Sequence, residues 1–159
     1  MTATTQGGTW SLTQDGNEYI TDAWGAFNNL KQMSFFREKD ELGGLRIVVT
    51  GGRDFKDLRH DFIGMLELIV PNELHEGGAM GADRLAGAWA ARVNIRRVTH
   101  LADWRQYGTM AGRIRNQQML IAAKPHFVMA APGGRGTQHC IAEALRRDIP
   151  VFRLCGDDS

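Results

Sequence analysis

The chain has few cysteines: Cys140 and Cys155 are the two among its 159 residues. Two cysteines are too few for a disulfide-stapled domain, and no C-x-x-C spacing is present. The five histidines form neither an H-x-x-x-H nor an H-E-x-x-H arrangement. We therefore expect no metal site and no cofactor.

Long apolar runs and an excess charge of one sign are also missing. No apolar run approaches the length of a membrane span, and the N-terminus lacks the basic start and apolar core of a signal peptide. The formal net charge is +1, which gives no general case for binding nucleic acid or a membrane surface. We expect a cytoplasmic protein with no membrane partner and no nucleic-acid partner.

Three common signatures of catalysis or nucleotide binding are absent. The chain contains no G-x-x-x-x-G-K-[ST], no G-x-G-x-x-G after a strand and no G-x-S-x-G. These absences argue against a P-loop NTPase, a standard NAD-binding site and a serine hydrolase of the nucleophile-elbow type.

The first 43 residues differ in character from the rest. Residues 1–17 are polar and rich in Thr, Gln and Gly, which predicts a mobile arm. Residues 18–41 predict an amphipathic helix that either packs on the main domain or pairs subunits, and we expect a homo-oligomer. A glycine pair then marks the boundary between residues 1–43 and the main domain, 44–159. The apolar residues at helical spacing are Ile20, Trp24, Phe27 and Leu30.

The main domain alternates between short β-branched runs and helix-like stretches. This alternation predicts a single Rossmann-like, doubly wound α/β domain with a mainly parallel five-stranded sheet and helices on both faces. With 43% hydrophobic residues the chain can bury the core of one such domain. The predicted strands are 45–50, 73–76, 97–101, 126–131 and 151–154, and the predicted helices are 57–70, 82–93, 110–123 and 137–147.

Three glycine-rich turns each separate an apolar run from a helix-like stretch. They read TGGRDF at 50–55, EGGAMGAD at 76–83 and APGGRGT at 131–137. Such turns lie at the carboxyl ends of parallel strands, where glycine permits close approach and the next helix offers free N–H groups to an anion. The alternative for any one turn is a tight strand-to-helix connection without a ligand. Their number and shared position favour a phosphate site.

Polar side chains beside these turns complete the predicted site. Thr137 can cap a helix or donate to phosphate, and Asp54 can bind ribose or cap the next helix. Arg113 and Arg115 lie early in a helix, against the helix dipole, which indicates an anionic partner, either a ligand or a carboxylate. Asp83, the other acidic candidate, also suits a helix N-terminus. The predicted ligand-binding residues are Gly51, Gly52, Arg53, Asp54, Gly77, Gly78, Gly81, Asp83, Arg113, Arg115, Asn116, Pro132, Gly133, Gly134, Arg135, Gly136 and Thr137.

At these residues the sequence resembles the YspA, or cpYpsA-related, SLOG family (DUF2493) of the wider SLOG and LOG superfamily. The pieces that carry the resemblance are VTGGRDF, HEGGAMGAD, ADW with YG, AGRIRNQ with a following Met119, and PGGRGT, in this order between residues 45 and 154. The resemblance implies a Rossmann-like fold whose rim binds nucleotides or nucleotide-derived ligands, often in prokaryotic or phage conflict systems.

Related LOG enzymes are phosphoribohydrolases that carry P-G-G-x-G-T-x-x-E, with a catalytic Glu. In this chain Cys140 stands at that position, and Glu143 lies about one helical turn further on. The catalytic residues are therefore left open, with Asp54 and Asp83 as candidates. The first hypothesis is a nucleotide-binding module, the second an N-glycosidic hydrolase of nucleotides, and the third a DNA-binding protein.

Overall fold

The structure is a computed structural model that describes residues 8–41 and 43–156. In these ranges seven strands form one sheet with the order β2-β1-β7-β6-β3-β4-β5. The strands are β1 (Thr9–Gln14), β2 (Asn17–Asp22), β3 (Arg46–Thr50), β4 (Glu73–Glu76), β5 (Arg96–Thr99), β6 (Phe127–Ala130) and β7 (Val151–Leu154).

Helices connect the parallel strands β3 to β7, and the prediction of an α/β fold with a mostly parallel sheet is confirmed. Counted by themselves, these five strands have the order 3-2-1-4-5, which is the order of a doubly wound sheet. The helices are α1 (Ala23–Lys31), α2 (Ser34–Arg37), α3 (Asp61–Ile69), α4 (Ala82–Arg92), α5 (Trp104–Tyr107), α6 (Ala111–Ala123) and α7 (Arg135–Arg146), with a 3-10 turn at Gly108–Met110.

Each face of the sheet has its own hydrophobic core. On one face α1, α3 and α4 cover strand residues such as Ile47 and Val49. On the other face α6 and α7 cover Val48 and Val128. Neighbouring positions of β3 point to opposite faces, so both sides of this strand are apolar, as expected for a buried parallel strand.

The N-terminal segment corrects two predictions. Residues 1–7 of the predicted arm lie outside the described residues, whereas β1 and β2 form a hairpin where an arm and the start of a helix were predicted. Its two-residue turn, Asp15-Gly16, has positive φ at both positions, 53° and 80°, as a type I′ turn requires. β1 pairs antiparallel with β7, so the predicted strand count of five is wrong.

Burial of two large apolar side chains explains why this polar segment forms a strand. Trp10 is fully buried and Leu12 is 4% exposed, and Trp10 packs against Phe62 and Phe152 with ring centroids 6.2 and 4.8 Å apart. A large aromatic side chain buries enough apolar area to order the surrounding Thr and Gln residues. The polar composition was therefore a poor guide here.

The predicted N-terminal helix is present but shorter. α1 begins after Asp22, whose carboxylate accepts the Gly25 N–H at 2.8 Å and caps the helix. Its apolar residues Ala26, Phe27 and Leu30 are buried in the protein's own core. Among the described residues, no helix combines the length and apolar character needed to cross a membrane.

Candidate functional site

The first and third glycine turns meet where the sheet reverses its winding direction. β3 and β6 are neighbours, but the chain continues from β3 towards β4 and from β6 towards β7. In open α/β sheets the connections diverge at such a point and leave a crevice beyond the strand ends. The Gly52 N–H donates to the Pro132 carbonyl at 2.8 Å, and the Ala131 N–H donates to the Thr50 carbonyl at 2.9 Å.

The second glycine turn packs directly against the first. Gly81 has φ +78°, and a Cβ there would lie 2.1 Å from the Gly52 carbonyl oxygen. The Ala82 N–H donates to that same oxygen at 3.3 Å. The three turns that the sequence predicted separately therefore lie together at one edge of the sheet.

The N–H groups of the second turn are already bound to the protein's own carboxylates. Asp83 Oδ2 accepts the Gly77 and Ala79 N–H groups at 3.1 and 3.3 Å. Glu76, which is fully buried, accepts the Gly78 N–H at 2.6 Å. The Gly78 amide, one of the predicted phosphate donors, therefore has an internal anion as its partner.

The third turn, by contrast, presents unoccupied donors. Gly134 precedes α7 without a side-chain cap, and the Gln138 N–H donates to the Gly134 carbonyl at 3.0 Å. The N–H groups of Arg135, Gly136 and Thr137 come before this bond, in the part of a helix that has no internal acceptors. The first turn of α7 contains no acidic residue. This helix start is therefore open to an anion.

Thr137 adds a hydroxyl donor to this helix start. Its exposure is 4%, it lines the crevice, and within the described residues its hydroxyl makes no hydrogen bond. A Cβ on Gly133 would lie 2.2 Å from Thr137 Oγ1, so glycine at that position leaves the room that the threonine side chain needs. The hydroxyl oxygen is open to the crevice and is therefore available to a ligand.

α6 connects the second and third turns through two adjacent side chains. Arg115 Nη1 donates to the Gly77 carbonyl at 2.6 Å and to the His100 carbonyl at 3.2 Å, and its Nε donates to Asn116 Oδ1 at 3.0 Å. Asn116 Nδ2 donates to the Gly136 carbonyl at 3.2 Å. Arg115 also lies close enough to Asp83 to stabilise its charge. The sequence predicted either a ligand or a carboxylate as the anionic partner of Arg115, and the carboxylate of Asp83 lies close to it.

The crevice between the turns has a volume of about 470 Å³, within the usual range of small-molecule sites. Arg53 and Asp54 are exposed at its edge. Gly77 and Gly78 line a neighbouring cavity and Arg113 another, while Gly81, Pro132 and Gly133 support the turns from behind. The predicted residues that line the crevice are Gly51, Gly52, Arg53, Asp54, Asp83, Arg115, Asn116, Gly134, Arg135, Gly136 and Thr137.

The acidic residues near the crevice have different environments. Burial raises the pKa of Asp83 to about 6, although the Ala79 and Gly77 N–H groups and Arg115 oppose that rise. The Arg147 guanidinium holds the pKa of Glu143 below its usual value, and Glu143 is also paired with Arg146. Glu143 is therefore committed to Arg146 and Arg147 at the end of α7.

Cys140 stands at the position of the LOG glutamate and lies on the buried face of α7, in the core. Its exposure is 0%, and burial raises the pKa of its thiol to about 11. A neutral, buried thiol cannot supply the charge that a carboxylate supplies at that position.

Sequence reasoning missed several residues that shape the site. Thr50, Ala79 and Gly112 line the crevice, and Glu76 occupies the second turn. Glu76 also accepts hydrogen bonds from Arg97 Nε at 2.9 Å and Thr99 Oγ1 at 2.5 Å. A carboxylate at the end of a buried strand, directly before two glycines, was the available signal for its role.

Comparison with known proteins supports the sequence resemblance. Residues 45–107 match the model of the YspA, cpYpsA-related SLOG family. The chain is also similar to the Gene 61 protein of Mycobacterium phage D29, with 35% identity over 125 aligned residues that cover 69% of this chain and 95% of the relative. No solved structure matches the chain at a significant level.

Proposed function

The chain belongs to the YspA, cpYpsA-related SLOG family, and on this premise we propose that it binds a small phosphorylated nucleotide or nucleotide-derived ligand in the crevice. Membership of this family suggests a nucleotide-related role. The proposal goes further by assigning the phosphate to the start of α7.

One observation carries the proposal: the open start of α7 coincides with the Thr137 hydroxyl, which has no hydrogen-bond partner within the described residues. Three backbone N–H groups, one hydroxyl and the partial positive charge of a helix N-terminus then face the same cavity. Arg135 and Arg53 add charge at the edge, where each can form charge-assisted hydrogen bonds to phosphate. Asp54, which is exposed and lines the crevice, would accept from a ribose hydroxyl.

Thr137→Val tests this assignment, because valine keeps the shape of the side chain and removes the hydroxyl. We expect AMP to bind the wild-type chain and the variant to bind AMP about 10- to 100-fold more weakly, since a hydrogen bond to a charged group contributes about 1.5–3 kcal/mol. Isothermal titration calorimetry measures both affinities.

Thr13→Val is the matched control, because Thr13 lies in β1 and does not line the crevice. Its affinity for AMP should equal that of the wild type. If no nucleoside phosphate binds the wild type, or if Thr137→Val binds as tightly as the wild type, the phosphate is not held at α7 and the proposal is wrong.

A second candidate function is N-glycosidic hydrolysis of the bound nucleotide. The observation that favours it is Asp83, which lines the crevice with a pKa raised by burial to about 6. A carboxyl group with such a pKa exchanges protons near neutral pH, as general acid–base catalysis needs. Incubation with nucleoside monophosphates or NAD followed by chromatography separates the two candidates, because hydrolysis alone releases free base.

We also propose that two copies of the chain pair through β2. The apolar face of α1 is used inside the protein, whereas Tyr19 and Ile20 on β2 are 53% and 62% exposed, and Trp24 beside them is 48% exposed. In the described sheet β2 has a neighbour on one side alone. A two-fold axis between two antiparallel β2 strands would bring the exposed side chains of both copies together at the centre of the shared sheet.

Ile20→Lys should convert the wild-type dimer to a monomer, because two lysines would then flank the centre of the paired strands. Ile121→Lys is the matched control, since Ile121 is similarly exposed, at 61%, but lies on α6. Sedimentation velocity measures the mass of each variant. A monomeric wild type, or a dimer that survives Ile20→Lys, would rule out this interface.

A further inference from the structure

The central crevice is one of three adjoining cavities. A cavity of about 380 Å³ lies beside α4, here called the α4 pocket, and one of about 520 Å³ lies beside α6, here called the α6 pocket. Trp104 and Arg115 line all three, so the cavities share a common wall. Two further cavities therefore adjoin the crevice in which the phosphate is proposed to bind.

Arginines without a carboxylate within 4.0 Å line these cavities, and elsewhere in the described chain such a carboxylate is also missing at Arg37, Arg46, Arg92 and Arg105. Arg59, Arg96, Arg97, Arg146, Arg147 and Arg153 each have a carboxylate partner within 4.0 Å. Among the described residues, Arg53, Arg84 and Arg135 form no such pair. Unpaired cations gathered at a cavity favour a ligand with more than one negative group.

The α4 pocket combines these cations with exposed apolar surface. It is lined by Arg53 and Arg84 and by Met80, Leu101 and Trp104, which are 60%, 76% and 54% exposed. None of the residues that line it is acidic. An indole plane and aliphatic side chains beside two guanidinium groups suit a nucleobase that carries a phosphate.

Anion binding in the α4 pocket must come from side chains. The N–H groups of Gly77, Gly78 and Ala79 face the carboxylates of Asp83 and Glu76. The pocket therefore differs from the central crevice, where backbone N–H groups at α7 are open. Arg53 lines both cavities and connects the two anion positions.

We infer that the ligand is a dinucleotide with two phosphates, one at the start of α7 and the second between Arg53 and Arg84 in the α4 pocket, with a base against Trp104. This inference rests on the proposed function, because it extends the ligand from the same phosphate position. A mononucleotide occupies the α7 position alone.

Titration calorimetry with AMP and with the 5′-phosphorylated dinucleotide pApA tests the inference. We expect wild-type protein to bind pApA at least about 10-fold more tightly than AMP, since one further charge-assisted contact is made. Arg84→Gln should remove most of this preference and leave the AMP affinity unchanged. Arg92→Gln, in the last turn of the same helix and outside the pocket, should leave both affinities unchanged.

The possible failures are distinguishable. If AMP binds but pApA binds no more tightly, or if Arg84→Gln weakens neither, the dinucleotide inference is wrong and the proposed function stands. If neither compound binds, the proposed function itself fails. If a ten-residue single-stranded DNA binds more tightly than pApA and loses affinity steeply with salt, the site accepts a nucleic-acid chain and the inference is overturned.

Discussion

Gly81→Ala is expected to destabilise the protein by about 2–6 kcal/mol, a large part of the 5–15 kcal/mol that stabilises an ordinary domain. Gly81 has φ +78° and ψ −127°, a conformation that side-chain-bearing residues avoid. Its added Cβ would also lie 2.1 Å from the Gly52 carbonyl oxygen and 2.6 Å from that of Arg53. Both are backbone atoms, so the first glycine turn has to move.

Urea unfolding measured by circular dichroism gives this change in free energy. Gly64→Ala is the matched control, because Gly64 lies inside α3 and its Cβ would meet nothing closer than a His60 ring carbon at 3.6 Å. Alanine there should stabilise the protein by about 0.5–1 kcal/mol through helix propensity. If Gly81→Ala stays within about 1 kcal/mol of the wild type, the close packing of the two turns described above is wrong.

Asp83→Asn is expected to be more stabilising at pH 8 than at pH 4, by about 2–3 kcal/mol. Burial raises the pKa of Asp83 from 3.8 to about 6, so the native state favours the protonated acid. The stability that protonation contributes is fully present below pH 3.8 and is lost as the pH rises through about 6. Asparagine is neutral throughout and keeps an oxygen to accept the Gly77 and Ala79 N–H groups.

Chemical unfolding of the wild type and the variant at pH 4 and pH 8 measures this difference. The other titrating groups are common to both proteins, so their contributions cancel. Asp103→Asn is a suitable control, because Asp103 is exposed and also accepts one backbone N–H, from Gln106 at 3.0 Å. It controls for exchanging a carboxylate for an amide at an exposed position. Equal effects of Asp83→Asn at the two pH values would show that burial of the carboxylate has no energetic cost.

The strand–helix alternation could be read from the sequence because it depends on local pattern. β3 and β6 are short, continuous apolar runs between glycine turns, and their bounds differ from the predicted ones by a residue or so. Helices α4 and α6 could likewise be predicted, from apolar residues at helical spacing and from residues that end a helix, such as Pro125. These elements bury both faces of a central sheet, where sequence pattern is strongest.

The hairpin at the N-terminus escaped prediction because its stability comes from elsewhere in the chain. β1 is polar apart from Trp10 and Leu12, and it is ordered by pairing with β7, more than 130 residues away. The Asp15-Gly16 turn is a local signal for a hairpin, whereas the polar composition around it is typical of an arm. A strand held by distant partners leaves little trace in its own composition.

The amino-acid sequence by itself determined the α/β architecture, the family and the place of the glycine turns at strand ends, because local periodicity and backbone freedom decide these. Only the tertiary structure decided which turn offers donors to a ligand. Glu76 and Asp83 fill the second turn, whereas the start of α7 and the Thr137 hydroxyl stay open. The physical reason is that a hydrogen-bond donor is available only if no folded neighbour accepts from it, and neighbours are set by how the whole chain packs.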